Sequence, residues 1–260
     1  MNFEKSYQNS IESSLLNIVM PERHGEYNLK SFSEKLLQKI GIEGEYLKSG
    51  EPEFSEIRNK LNKEPGLIIS NHPGYFDMLL VLSSITRDDL KIVVAEKFYQ
   101  GLSKKFGIEK FIKSTDSSIV EKSCNHVHDG GAVLIFPTGG ADTVTKNHHR
   151  DDLPFRSGFR RILEKINPDS MIYSFYINPE DSLVLLQKYS DNKTIRRFQL
   201  AGHALIPEKL QPIKSSSAST IKVNEEYSKA GDWQNSCDSV QGSVGKNRAL
   251  SKFYLNKLNV

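Results

Sequence analysis

The chain has 260 residues, of which 37% are hydrophobic and 26% are charged, a composition typical of a globular protein and too apolar for wholesale disorder. Lys and Arg number 35 against 32 Asp and Glu, for a formal net charge of +3, which is too mild a bias to indicate a nucleic-acid partner. The two cysteines, Cys124 and Cys237, are far apart and form neither a redox pair nor a metal-ligand cluster, so free thiols are expected.

The first 20 residues include two glutamates and lack a continuous apolar stretch, which makes them a poor secretory signal. Residues 1–60 as a whole are polar, with apolar positions three and four residues apart, and this spacing predicts amphipathic helices. No stretch of the chain reaches the roughly 18 uninterrupted apolar residues that a membrane-spanning helix needs. We expect an N-terminal helical region, residues 1–60, packed as one compact unit with an α/β domain, residues 61–260.

Short apolar runs follow, each succeeded by a turn signal and a helix-like stretch. They lie at 66–70, 91–95, 132–136 and 171–177. This alternation predicts an α/β fold with a mostly parallel central sheet flanked by helices. Residues 182–187 and 198–205 are candidates for late or edge strands, and the polar region from Lys214 is expected to be a loop that leads to a closing helix near 249–258.

The segment Asn71-His72-Pro73-Gly74-Tyr75-Phe76-Asp77 follows the first apolar run, at the carboxyl end of a strand, where α/β sheets place ligand sites. On a continuous helix, residues five apart would lie about 140° from each other. His72 and Asp77 can therefore meet only if His72 lies in the strand-to-helix turn, Pro73 starts the helix and Asp77 points back from an early helical turn.

In that arrangement Asp77 would accept the Nδ1 proton of His72 and leave Nε2 basic. No signature of a serine or cysteine nucleophile accompanies the pair, so the nucleophile would be a hydroxyl or amine of a substrate that attacks an acyl thioester. The alternative is a histidine and an aspartate that only complete a turn and cap a helix.

The N-H-x-x-x-x-D pattern resembles the first signature block of the glycerol-phosphate and lysophosphatidate acyltransferase superfamily. Partial matches to later blocks follow in order, between about residues 66 and 177. Residues 107–113 (GIEKFIK) resemble the second block, 134–140 (LIFPTGG) the third and 155–158 (FRSG) the basic-x-Gly step after it, and 171–177 (MIYSFYI) stand where a fourth, apolar block is expected.

The resemblance implies transfer of a fatty acyl group from acyl-CoA or acyl-carrier protein to a hydroxyl of a glycerolipid precursor, with His72 as general base and Asp77 orienting it. It implies a small-molecule or lipid acceptor and a cytoplasmic location with peripheral contact at a membrane surface. No cofactor, metal or nucleic acid is expected. Gly139 and Gly140 would offer backbone N–H groups to a phosphate or oxyanion. The candidate substrate contacts are Asn71, Lys97, Lys113, Thr138, Gly139, Gly140 and Arg156.

The third block departs from the family pattern, usually written F-P-E-G-T. Thr138 replaces the glutamate, and the form P-T-G-G is closer to the P-S-G-G of soluble plastid glycerol-3-phosphate acyltransferases. Those enzymes continue with arginines that grip the phosphate, whereas this chain continues with Ala141-Asp142-Thr143. Two alternatives therefore stay open: an acyltransferase for a non-phosphorylated alcohol or amine, and a non-catalytic lipid-binding relative. Basic residues that could restore an anion site lie just downstream, at Lys146, His148, His149 and Arg150.

Overall fold

A computed structural model describes residues 28–40, 42–48, 54–72, 77–139, 155–178 and 219–258. The strands are β1 (Ile42–Lys48), β2 (Gly66–Ser70), β3 (Leu90–Val94), β4 (Phe111–Lys113), β5 (Ala132–Ile135), β6 (Met171–Ile177) and β7 (Ser219–Lys229). The helices are α1 (Leu29–Ile40), α2 (Phe54–Leu61), α3 (Asp77–Ser83), α4 (Glu96–Phe106), α5 (Ile119–His128), α6 (Ser157–Lys165), α7 (Ala230–Asp238) and α8 (Ser243–Lys257), and a 3₁₀ helix spans Ile108–Lys110.

The strands form one sheet in the order β1-β7-β6-β2-β5-β3-β4. From β6 to β4 all neighbours are parallel, whereas β7 is antiparallel to β6 and carries β1 parallel to itself. The prediction of a mostly parallel central sheet flanked by helices is confirmed. Because parallel strands end at the same side, the ends of β6, β2, β5, β3 and β4 form one border, called here the carboxyl edge.

Helices cover both faces of the sheet. On the first face, α1 to α4 pack against alternate strand residues such as Ile68, and on the second, α5 to α8 pack against residues such as Leu67 and Ile69. All five residues of β2 are buried, and full burial of a large apolar side chain contributes roughly 1.5–3 kcal/mol. This two-sided burial explains why the central strands have nearly continuous apolar sequences. None of the helices in the described ranges is long and apolar enough to cross a membrane.

The N-terminal region is not entirely helical. Helices α1 and α2 agree with the prediction for residues 1–60, but β1 lies between them and pairs in parallel with β7. Its first residues alternate, with Ile42 buried and Glu43 exposed, which is the period of a strand with one face in the core. The division of the chain at residue 60 stays a prediction.

The loop predicted after Lys214 is wrong for the part that the structure describes, because Ser219–Lys229 forms the long strand β7. Ile221, Val223 and Glu225 are buried on the first face, so every second residue enters the core, and one of them is charged. Because Glu225 interrupts the series of buried apolar residues, the alternating pattern in the sequence is too short to predict a strand. The predicted closing helix is confirmed as α8, whereas the possible strands at 182–187 and 198–205 lie outside the described residues.

Candidate active site

His72 and Asp77 meet between β2 and α3. The strand ends at Ser70, the helix begins at Asp77, and the distance from His72 Nδ1 to Asp77 Oδ2 is 2.7 Å. The predicted contact across a strand-to-helix turn is therefore confirmed. The predicted helix start at Pro73 lies outside the described residues. This connection is called the His72 turn below.

The two side chains differ sharply in exposure. The Asp77 side chain is 1% exposed, whereas the His72 side chain is 28% exposed. An ionised carboxylate only accepts hydrogen bonds, so the short contact assigns the proton to Nδ1 and leaves Nε2 as the basic nitrogen. The arrangement has a buried orienting group and a solvent-accessible ring, as a general base requires.

Phe136 forms an apolar wall beside the imidazole. Its ring centroid lies 4.9 Å from that of His72, with an angle of 37° between the planes. Phe136 directly follows β5, which pairs with β2, so the parallel register brings the residues after both strands together. Phe136 belongs to the third sequence block, whose pattern does not indicate this contact.

Asn71 fastens the His72 turn to the neighbouring strand. Its Nδ2 donates to the carbonyl oxygen of Ile177 at 2.8 Å, and its Oδ1 accepts from the backbone N–H of Ile177 at 2.7 Å. Both polar atoms of the side chain are therefore bonded to β6. The predicted contact between Asn71 and a substrate stays a prediction.

Tyr254 of α8 also holds this turn. Its hydroxyl accepts from the backbone N–H of Asn71 at 3.1 Å and donates to the carbonyl oxygen of Phe175. The side chain is buried, although its residue lies 183 positions from Asn71. No sequence pattern indicates this contact, since a tyrosine within a helix near the end of the chain gives no signal beyond core packing.

The third block forms a tight turn over residues 136–139, called here the Pro137 turn. The N–H of Gly139 donates to the carbonyl oxygen of Phe136 at 2.9 Å, and Gly139 has a φ of 72°. A Cβ at this position would lie 2.9 Å from Cγ of Arg156, so both the backbone conformation and the space require glycine. The turn uses this N–H, and the contact of Gly139 with a phosphate or oxyanion stays a prediction.

Arg156, the residue before α6, braces the Pro137 turn. Its backbone N–H donates to the carbonyl oxygen of Pro137 at 2.8 Å, and its Nε donates to that of Thr138 at 2.9 Å. The residue is exposed, so its guanidinium combines a structural contact with access to solvent. The structure thus brings Thr138, Gly139 and Arg156 together, and their contact with a substrate stays a prediction.

Lys113 ends β4 at the same carboxyl edge but at a distance. Its Nζ lies 3.7 Å from Glu96 Oε1 and 4.9 Å from the centroid of the Tyr99 ring. The strand register places it level with Ser70, three positions along the sheet. At a spacing of roughly 4.8 Å per strand, the two strand ends lie about 14 Å apart.

The contacts of two further candidate residues lie outside the described part of the chain. Lys97 lies in the first turn of α4, but its side chain is outside the described part of the chain, as is all of Gly140. The downstream basic residues at 146–150 lie outside it as well. Their contacts with a substrate stay predictions.

Residues 51–179, about half of the chain, match the family described as Acyltransferase. This segment contains the His72 turn, the Pro137 turn and β6, so the family match and the His72–Asp77 geometry concern the same residues. The chain belongs to the acyltransferase family and is an enzyme of that class. This family match agrees with the resemblance of the sequence motifs to the glycerol-phosphate and lysophosphatidate acyltransferases.

Among solved structures, the chain is similar to the 1-acyl-sn-glycerophosphate (LPA) acyltransferase PlsC from Thermotoga maritima. The two share 9% sequence identity with a TM-score of 0.45, and the match covers 98% of this chain and 96% of that one. A search of curated proteins finds no match for the sequence.

Proposed function

We propose that this acyltransferase moves a fatty acyl group from an acyl-CoA or acyl-carrier-protein thioester to a hydroxyl of a glycerolipid precursor. Glycerol 3-phosphate and a lysophospholipid are the leading acceptors. The observation that carries the proposal is the 2.7 Å contact between His72 and the buried Asp77, at the edge of the sheet where α/β proteins bind ligands.

In the proposed reaction, His72 Nε2 takes the proton of the acceptor hydroxyl as its oxygen attacks the thioester carbonyl carbon. A C–O bond forms, the carbonyl becomes a tetrahedral oxyanion, and the C–S bond then breaks. His72 returns the proton to the leaving thiolate, so the products are an ester and a free thiol. Asp77 keeps the ring in one tautomer and stabilises the imidazolium. Such base catalysis contributes about 10²- to 10⁴-fold.

An anionic acceptor or donor is supported by the cations at the carboxyl edge. Arg156 is exposed beside the Pro137 turn, and Lys113 lies about 14 Å from the β2 end. A long thioester donor with phosphate groups, or a lysophospholipid, has the length to reach from His72 to Lys113. We therefore assign Lys113 to the part of a substrate that is remote from the reacting atoms.

A second candidate function is acyl transfer to an uncharged alcohol or an amine. It is supported by the ion pair of Lys113 with Glu96 and by the bond from Arg156 Nε to Thr138. These contacts use part of the hydrogen-bonding capacity of each cation. The Gly139 N–H is also used within its own turn. A phosphate group would have to compete with these internal partners.

The test is product analysis by mass spectrometry with the purified protein. Acyl-CoA and acyl-carrier protein are each offered with glycerol 3-phosphate, a lysophospholipid, an uncharged long-chain alcohol and an amine. The leading proposal expects a phosphorylated ester as the main product, and an ester or amide of an uncharged acceptor would support the second candidate. With the preferred pair, His72→Ala is expected to lower kcat by about 10²- to 10⁴-fold.

The matched control is His128→Ala, which removes an exposed imidazole at the end of α5, on the second face of the sheet. It should leave kcat unchanged. If His72→Ala retains the activity of the unmodified protein, the assignment of the base is wrong.

A further inference from the structure

The last paired residues of the ladder between β2 and β6 are Ser70 and Phe175. At this end of the ladder, the carbonyl oxygen of Phe175 and the N–H of Asn71, the residue after Ser70, are both bonded to the hydroxyl of Tyr254. A side chain from α8 therefore joins the two strands at the point where the ladder ends.

One step further, the Asn71 side chain completes the connection. Its amide makes the reciprocal pair of bonds to Ile177, so the residue before His72 is held through its backbone N–H and through both polar side-chain atoms. A buried N–H or carbonyl group loses more by being left without a partner than it gains from a typical bond. These contacts consequently favour one position of the Asn71–His72 peptide.

The Tyr254 ring is held as firmly as its hydroxyl. It is 3% exposed and packs against the rings of Phe155, Tyr176 and Trp233, with centroid distances of 5.8, 6.2 and 6.3 Å. Phe155 directly precedes Arg156, the residue that braces the Pro137 turn. One side chain of α8 thus contacts the His72 turn by hydrogen bonds and, through its ring, the residue that precedes the support of the Pro137 turn.

We propose that Tyr254 is a positioning residue for His72. Its hydroxyl fixes the backbone of Asn71, and through it the angle at which the imidazole meets Asp77 and a substrate. The residue lies outside the segment that matches the acyltransferase family. The proposal rests on the proposed role of His72, because a well-aligned base is useful only if it takes the acceptor proton.

The test removes the hydroxyl and keeps the ring, with Tyr254→Phe. We expect kcat to fall by about 10- to 100-fold with KM within roughly twofold, because displacing a catalytic group by a fraction of an ångström lowers the rate without weakening substrate binding. The low-field proton resonance of His72 Nδ1–H, identified by its loss in His72→Ala, should shift or broaden.

The matched control is Tyr173→Phe. Tyr173 is fully buried in the same strand that Tyr254 contacts, and its hydroxyl lies 3.5 Å from Glu64 Oε2. This change also removes a hydroxyl from the core, but it lies towards the other end of β6. We expect an unchanged kcat and an unchanged His72 resonance.

A kcat within twofold of the unmodified protein, together with an unchanged resonance in Tyr254→Phe, would overturn the proposal. So would equal losses of kcat in both variants, since these would indicate a general effect of core damage. If Tyr254→Phe does not fold, 3,5-difluorotyrosine at position 254 keeps the shape of the side chain and weakens its hydroxyl as an acceptor. A kcat lowered several-fold then supports the proposal, and an unchanged kcat overturns it.

The resonance requires no turnover, so it separates two kinds of failure. If the unmodified protein transfers no acyl group to any acceptor, the proposed function fails, while the resonance in Tyr254→Phe still decides whether Tyr254 positions the histidine. If acyl transfer is found but the Tyr254→Phe resonance and kcat do not change, only the positioning role is lost.

Discussion

The two ends of the carboxyl edge are built differently. At the β2 end, His72 contacts a carboxylate that is 1% exposed, and Asn71 is bonded to β6 and to Tyr254 of α8. At the β4 end, Lys113 pairs with Glu96, and the side chains of both are more than one third exposed, at 37% and 62%. The first end is fixed by the core, and the second is in contact with water.

The contacts at the two ends also differ in how much they contribute to the free energy of folding. Buried polar groups lose roughly 1–3 kcal/mol when a partner is removed, so the His72 turn has one strongly favoured arrangement. An exposed ion pair contributes about 0–1 kcal/mol, so Lys113 can leave Glu96 for a substrate at little cost. In the proposed mechanism, the group that does the chemistry is therefore fixed, and a group that would bind the substrate is free to adapt.

The largest expected effect comes from Asp77→Asn. An asparagine can donate a hydrogen bond towards Nδ1, which favours the tautomer with the proton on Nε2 and removes the base. We expect kcat to fall by about 10³-fold, measured under saturating substrate, with a circular dichroism spectrum like that of the unmodified protein. A loss of less than tenfold would contradict the orienting role of Asp77. The buried contacts at the β2 end would then matter no more for activity than the exposed ones at the β4 end.

Glu225→Gln should have the next largest effect, on stability. Glu225 lies in β7 on the first face and is 1% exposed, with Arg58 Nη2 at 3.9 Å. Burial raises its pKa to about 7, and the charge of Arg58 only partly opposes this. The folded state therefore binds the proton more tightly than the unfolded chain, whose glutamates titrate near 4.3.

The free energy of unfolding should consequently fall as the pH rises from about 4.5 to 7, by about 3 kcal/mol from this group. The slope decreases as the pH passes through 7 and vanishes about one pH unit above it, where the carboxyl is ionised in both states. In Glu225→Gln this loss should disappear, so urea unfolding at pH 5 and pH 8 should show a smaller decrease than in the unmodified protein. An identical pH dependence in both proteins would show that burial does not perturb this carboxyl.

A smaller effect is expected from Gly139→Ala. The change is strained by the φ of 72° and places a Cβ 2.9 Å from Arg156 Cγ, so Arg156 must move away from the Pro137 turn. We expect kcat/KM to fall roughly tenfold. Gly130→Ala is the control, because Gly130 also has a positive φ, of 94°, but a Cβ there meets nothing within 4 Å. Equal losses in the two variants would mean that strain alone, and not Arg156, lowers activity.

The smallest effect should follow Lys113→Gln. Loss of one exposed cation is expected to raise KM about three- to fivefold for a phosphorylated substrate and to leave kcat unchanged, with a difference that shrinks at high salt. Lys110→Gln is the control, since Lys110 lies just before the amino end of β4 and bonds to the carbonyl oxygen of Asp88. If KM for the phosphorylated substrate does not change in Lys113→Gln, this end of the edge does not bind a phosphate.

The sequence predicted the elements that are buried on both sides and the contacts that arise within a few residues. The predicted bounds of β2 and β6 agree with the observed ones, because a short, continuous apolar run between turn signals is typical of a strand that is buried on both faces. The spacing of His72 and Asp77 rules out a shared helical face, so it predicted that they could meet only across a strand-to-helix turn. The resemblance of the motif to the acyltransferase pattern predicted that they do meet.

Features that depend on distant partners could not be predicted in this way. β1 and β7 contain many polar residues because they lie at one side of the sheet, and their pairing joins segments more than 170 residues apart. The bonds from Tyr254 to the His72 turn have the same origin. No local pattern encodes which buried tyrosine will meet which strand end, because this depends on the packing of α8 on the completed sheet.

The sequence separation of Tyr254 and Asn71 also determines how long the His72 turn lacks its bond to Tyr254 during synthesis. At a synthesis rate of about 5–20 residues per second, the chain takes roughly 10 to 40 seconds to extend over the 183 positions from Asn71 to Tyr254. During that interval the nascent chain contains His72 and Asp77 but not the hydroxyl that holds their turn. The ribosome therefore delivers the complete histidine support only when α8 emerges, long after the acyltransferase motif itself has been made.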